Sequence, residues 1–210
     1  MSIINLLSSS LGVRNDIPNQ KLALEIAESE NINALEELVE NLQSNKDKKI
    51  QSDCIKVLYE IGYLKPEIIS AYLPVFVKVA GGKNNRLIWG CMIAINCITD
   101  IYPDKVYQFL SEIIEVIDKG SVITKDAGVG ILAKLATLKE YSEDCFPLLL
   151  EQIKFCPDNQ LGQYAEKALP CINSENKQGY IAILNSRLLL LEKESQKKRL
   201  KKILTIKNAY

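Results

Sequence analysis

The chain of 210 residues is 47% hydrophobic and 25% charged, and its 26 basic residues balance its 26 acidic ones. That composition fits a soluble globular protein, and a net charge of zero signals neither a nucleic-acid nor a membrane partner. Histidine is absent, which removes the commonest general base and the commonest metal ligand.

The first stretch, MSIINLLSSSLGVRND, has no basic residues ahead of its short apolar segment, so it does not read as a secretory signal. It reads as a cap over residues 1–17, with Ile3, Ile4, Leu6 and Leu7 covering the end of the first repeat. From Pro18 the periodicity is helical throughout. It predicts helices over 18–29, 32–44, 47–63, 66–80, 84–100, 103–119, 122–138, 142–155, 159–172, 176–191 and 193–206. Pro66 and Pro103 stand at first helical positions, where a missing N–H costs nothing. Gly81-Gly82 and Gly120 act as stops. Asp47, Asn84, Asn85, Ser121, Thr124, Ser142 and Asn159 are available N-caps. No apolar run reaches the roughly 18 residues that span a bilayer. The six cysteines (54, 91, 97, 145, 156, 171) form no CxxC, and most sit inside apolar helical patterns. They read as reduced, buried thiols of a cytoplasmic protein, not as a zinc site.

A repeat of 37 residues organises the chain. Cys54, Cys91, Gly128 and Ala165 form one series, and Val57, Ala94, Ile131 and Ala168 a second. Leu58, Ile95, Leu132 and Leu169 form a third, and Ile61, Ile98, Leu135 and Ile172 a fourth. The alternate helices carry Leu35, Tyr72, Phe109, Phe146 and Ile183; Leu42, Val79, Val116, Ile153 and Leu190; and Val39, Phe76, Ile113 and Leu150, which breaks at Arg187. Two helices per period cannot bury their apolar faces alone, so the units stack into one core.

The units resemble HEAT repeats, in the HEAT/armadillo group. First helices are rich in small residues (IWGCMIAINCI, TKDAGVGILAKLA), and second helices are aromatic and aliphatic (AYLPVFVKV, YQFLSEIIEVI). The resemblance covers residues 18–191. It implies an all-α, right-handed superhelix of five helical hairpins, with a basic capping helix over 192–210. It also implies a non-enzymatic scaffold or adaptor that binds a protein or peptide on its concave face, with no cofactor and no metal. The second helices are expected to line that face. Their polar residues are mostly acidic (Glu36, Glu37, Glu40, Glu112, Glu115, Asp118, Glu143, Glu151), which suits a basic partner.

The alternative within this resemblance is a nucleic-acid-binding or DNA-repair protein, because some HEAT-like arrays are alkylpurine DNA glycosylases. Those need a basic groove and several aromatics beside a carboxylate. Here Trp89 is the only tryptophan, its i+4 neighbour is Ile93, and the nearest acid by period is Asp126. Arg86, Trp89, Lys125 and Asp126 head two successive first helices and form the candidate partner-binding spot. The competing reading is an ion pair of Arg86 or Lys125 with Asp126 over a packed Trp89. A second candidate is the basic run Lys197, Lys198, Arg199, Lys201 and Lys202, which suits an anionic partner. Leu200, Ile203, Leu204 and Ile206 are the apolar stripe that docks it.

Overall fold

The computed structural model describes residues 2–208, with side chains through Thr205. All its described regular elements are helical. In chain order, α1 (Ile17–Ser29) and α2 (Ile32–Ser44) form the first hairpin. Then α3 (Lys48–Leu64) is followed by α4 (Pro66–Ile69) and α5 (Leu73–Ala80). Next, α6 (Asn85–Thr99) is followed by α7 (Pro103–Tyr107) and α8 (Leu110–Lys119). The series continues with α9 (Val122–Ala136), α10 (Lys139–Phe155), α11 (Asp158–Ala168), α12 (Lys177–Leu190) and α13 (Glu194–Asn208). Two compact units result, Met1–Gly128 and Val129–Tyr210, and α9 straddles their boundary.

Helices begin where a side-chain oxygen can answer an orphan N–H. Asn31 accepts from the Ala34 N–H at 3.1 Å, Asp47 from Lys49 at 2.8 Å, and Asn84 from Arg86 at 3.0 Å. Ser142 and Asn159 do not serve as caps, because α10 already starts at Lys139 and α11 at Asp158. The predicted single helices over 66–80 and 103–119 are each broken. Pro74 has no N–H to return to Ser70, so the chain tightens into a 3-10 turn at Ser70–Tyr72 before α5. Between α7 and α8 a three-residue bond, from the Phe109 N–H to Val106 O at 3.0 Å, marks the break. Short, medium and long helices therefore succeed one another in α4, α5 and α6, and again in α7, α8 and α9. That succession is the three-helix variant of the HEAT/armadillo unit.

In the first unit α1 packs on α3 and α3 on α6, while α2 and α5 back onto α3 and α6. The contact between α3 and α6 is close because residue 90 lacks a Cβ; one built there would stand 2.7 Å from Ile55 Cγ1. The 37-residue series are buried through three first helices: Cys54, Cys91, Val57, Ala94, Ile131, Leu58, Ile95, Leu132, Ile61, Ile98 and Leu135 are all 0% exposed. The series loosens in the fourth. There α11 ends at Ala168, Pro170 sits in a 3-10 turn, and Leu169 and Ile172 are only half-buried. The second-helix series is weaker still, with Tyr72, Val79, Phe109 and Val116 half-buried and Leu190 71% exposed. In the N-terminal segment Leu7 is fully buried, whereas Leu6 is 40% exposed.

In the second unit Leu200, Ile203 and Leu204 are buried and seat α13 on α11 and α12. The Ile206 side chain lies outside the described residues.

All six cysteines are buried thiols outside any disulfide. Burial raises the thiols of Cys54 and Cys145 to about 12 and that of Cys91 further still. Thiolate is the reactive form, so the native protein should resist a thiol-specific disulfide reagent at neutral pH. All six thiols should titrate once denaturant is added. Fast reaction of one equivalent in the native state refutes this.

Candidate functional site

The candidate site grows from the leading end of α6. With Asn84 capping the helix, Arg86 and Trp89 lie three residues apart on one face. The Arg86 guanidinium stacks on the indole, 4.4 Å from the ring centroid, and both residues are half-buried. Trp89 in turn meets Tyr59 of α3, with centroids 5.9 Å apart and planes tilted by 47°. Tyr63, one turn further on, stands edge-on to Tyr59 at 6.0 Å and is exposed.

Lys56 sits over the Tyr59 ring, 4.8 Å from its centroid. It binds Glu60, one turn along, and pairs with Asp16 at 3.6 Å. Burial works against the ammonium, but hydrogen bonding to Glu60 and Tyr59 outweighs it and holds Lys56 up at about 12. Lys56 is therefore a fixed positive charge at neutral pH.

The strip brings together cations, rings and carboxylates, the groups that recognition surfaces use. Among the described residues no group of three His, Cys, Asp or Glu could hold a metal. No described helix is long and apolar enough to cross a membrane. Arg86 is the distinctive member. Among the described residues its guanidinium makes no ion pair and no side-chain hydrogen bond, so its donors are unengaged in a stacked position.

Of the four residues singled out from sequence, Arg86 and Trp89 are in contact. Lys125 and Asp126 lie half-buried in the first turn of α9. Neither Arg86 nor Lys125 pairs with Asp126; the expected inter-repeat ion pair gives way to Arg86 stacking on its own helix. The basic C-terminal run is partly neutralised. Arg199 makes a two-pronged bond to Glu166 at 2.9 and 2.6 Å, and Lys197 binds Glu194 at 2.9 Å. Arg199 holds the Glu166 carboxyl below its ordinary value. Lys198, Lys201 and Lys202 remain exposed.

Sequence reasoning missed Tyr59, Lys56, Glu60 and Asp16. The Lys56–Glu60 spacing of four was the one legible signal. It also missed a groove of about 440 Å³ between α5 and α8, floored by Val77, Ile88, Phe109 and Val116. That groove is why the second-helix series is half-exposed.

Helical repeats that stack with a long first helix and a broken second one define an armadillo/HEAT-like repeat protein. Solved structures of that class share the fold. A designed armadillo repeat protein in complex with the peptide (KR)4 is similar over 90% of each chain, at 20% identity and a TM-score of 0.67. A computationally designed armadillo repeat protein for modular peptide recognition matches over 90% of this chain and 91% of its own, at 19% identity and 0.66. An engineered protein matches over 100% of both chains, at 19% identity and 0.66. No protein-family model and no curated protein sequence matches the chain.

Proposed function

We propose that the protein is a non-enzymatic peptide-binding scaffold, and that it binds through the first-helix face of its first unit, with Arg86 and Trp89 at the centre. The observation that carries this reading is the half-exposed Trp89 holding a guanidinium whose donors are unengaged. An aromatic and an arginine, ordered in advance, are the side chains that most often anchor an interface. The structural neighbours support it, since one is in complex with a peptide and another is designed for modular peptide recognition.

Helix spacing supports the choice of face. α1, α3 and α6 pack along one another, whereas α5 and α8 touch sparsely. In a two-layer stack the closer-packed layer lies on the inside of a bend. That packing supports the first-helix face as the binding side of this unit, in place of the acidic second-helix face expected from sequence. Lys125 and Asp126 belong to the same proposal as its extension onto α9, and the six buried thiols fit a cytoplasmic setting.

Trp89 is the only tryptophan, so its emission reports on the site directly. Peptides selected from a displayed random library should shift that emission on binding and lose at least tenfold in affinity for Arg86→Ala and for Trp89→Ala. Selected peptides that bind both variants as tightly as the parent, with helicity unchanged, overturn the assignment of the face.

A further inference from the structure

The Arg86–Trp89–Tyr59 strip runs into a polar cleft at its N-terminal side, linked by the Lys56–Asp16 pair. The cleft encloses about 600 Å³ between the segment Ser8–Asp16 and the leading ends of α3 and α6. From its charges we infer that the partner presents an acidic peptide segment, whose carboxylates fill this cleft and whose chain continues onto Arg86. This deepens the peptide-binding reading above and rests on it.

The charges around the cleft divide by sign into engaged and unengaged. Three cations line it, Arg14, Lys48 and Lys49, all exposed. Among the described residues their side chains form no ion pair and no hydrogen bond. The carboxylates in and beside the cleft, by contrast, already have partners. Asp16 pairs with Lys56 at 3.6 Å. Asp53 accepts from the Ser9 N–H at 2.8 Å, the Ser9 hydroxyl at 2.5 Å and the Asn19 amide at 2.9 Å. Asp47, beside Lys48, is held by the Lys49 N–H at 2.8 Å. The acids are therefore engaged within the chain, and the cations are left to whatever enters the cleft.

Two further features have the same sign. The cleft is where α3 and α6, of 17 and 15 residues, present the positive ends of their dipoles. Arg86, in the first turn of α6 whose cap Asn84 lines the cleft, offers the two-pronged donor geometry that suits a carboxylate. An acidic chain would answer all of these at once. A basic chain would meet Arg14, Lys48, Lys49 and Arg86 head-on, so the favoured peptide should be opposite in charge to the (KR)4 bound to the designed neighbour.

The test uses the full chain and two labelled octapeptides, (Asp-Glu)4 and (Lys-Arg)4, followed by anisotropy and Trp89 emission at low and moderate salt. The acidic peptide should bind at least tenfold tighter than the basic one. Its affinity should fall at least tenfold with added salt, and again at least tenfold in Lys48→Glu/Lys49→Glu. These are exposed residues, so helicity should be unchanged. Inorganic phosphate at millimolar concentration should compete only weakly. Equal or tighter binding of (Lys-Arg)4, no binding of (Asp-Glu)4, or displacement of the peptide by phosphate alone each overturns the inference. If library-selected neutral or basic peptides still shift Trp89 in those cases, only the acidic partner is lost. If no peptide at all shifts it, the peptide-binding reading goes as well.

Discussion

Replacing Gly128 by valine should destabilise the protein by about 3 kcal/mol, near the upper end for overpacking a core. Gly128 faces Ile117 of α8, which is 0% exposed. A Cβ at Gly128 would stand 2.3 Å from Ile117 Cγ1 and 2.5 Å from Cδ1, well inside van der Waals contact. Two effects compete even for Gly128→Ala. Helix propensity favours alanine by about 1 kcal/mol, while the clash with a buried β-branched side chain costs about 2 kcal/mol or more. The clash should win, because Ile117 has few rotamers to retreat into. Thermal melts of the parent, Gly128→Ala and Gly128→Val should fall in that order. Ile117→Ala should relieve part of the glycine effect, giving a double-mutant cycle well short of additivity. A Gly128→Ala protein that melts at or above the parent sinks this account of the contact.

The second large effect is expected at Arg187, the position where the apolar repeat series breaks. Arg187 is buried and stands against the end of α10. Its guanidinium donates to Ile153 O at 3.1 Å, Lys154 O at 2.6 Å and Cys156 O at 2.8 Å, and reaches Asp158 Oδ1 at 2.7 Å. One side chain thus satisfies the orphan carbonyls of α10 and ties them to the first residue of α11. Arg187→Met keeps the volume and removes every donor. With several buried carbonyls left unanswered, the loss should be about 2–4 kcal/mol. For a chain of this size that is roughly a 5–15 °C drop in melting midpoint. Lysine is a sharper control, since a single ammonium cannot span acceptors arranged for a fork. Arg187→Lys should recover less than half of the loss. A methionine variant within about 1 °C of the parent, far below the drop that lost hydrogen bonds require, would refute the role.

Much of the fold is legible in the chain itself. Small and apolar residues spaced at 37 are enough to place three of the first helices and their buried faces. The positions that fail do so for local reasons. Periodicity puts Leu169 and Ile172 in the core, but Pro170 ends the helix into a 3-10 turn and turns them half outward. It puts Val79 and Val116 there too, but broken second helices leave a groove beneath them.

The candidate site is half legible. Arg86 and Trp89 are three residues apart in one helix, so their contact follows from helix geometry alone. The ring that backs Trp89 does not follow. One period before Trp89 is Ser52, yet the residue that meets the indole is Tyr59, two turns further along α3. Periodicity identifies equivalent positions; contact depends on how neighbouring helices cross and how far a large side chain leans. The same reason undoes the expected pair with Asp126, one period after Trp89. Sequence by itself determined the architecture, because burying apolar stripes at a fixed spacing admits few solutions. Only the tertiary structure decided which charges are engaged, since an ion pair such as Lys56–Asp16 joins residues forty apart through the packing of α3 beside the N-terminal segment.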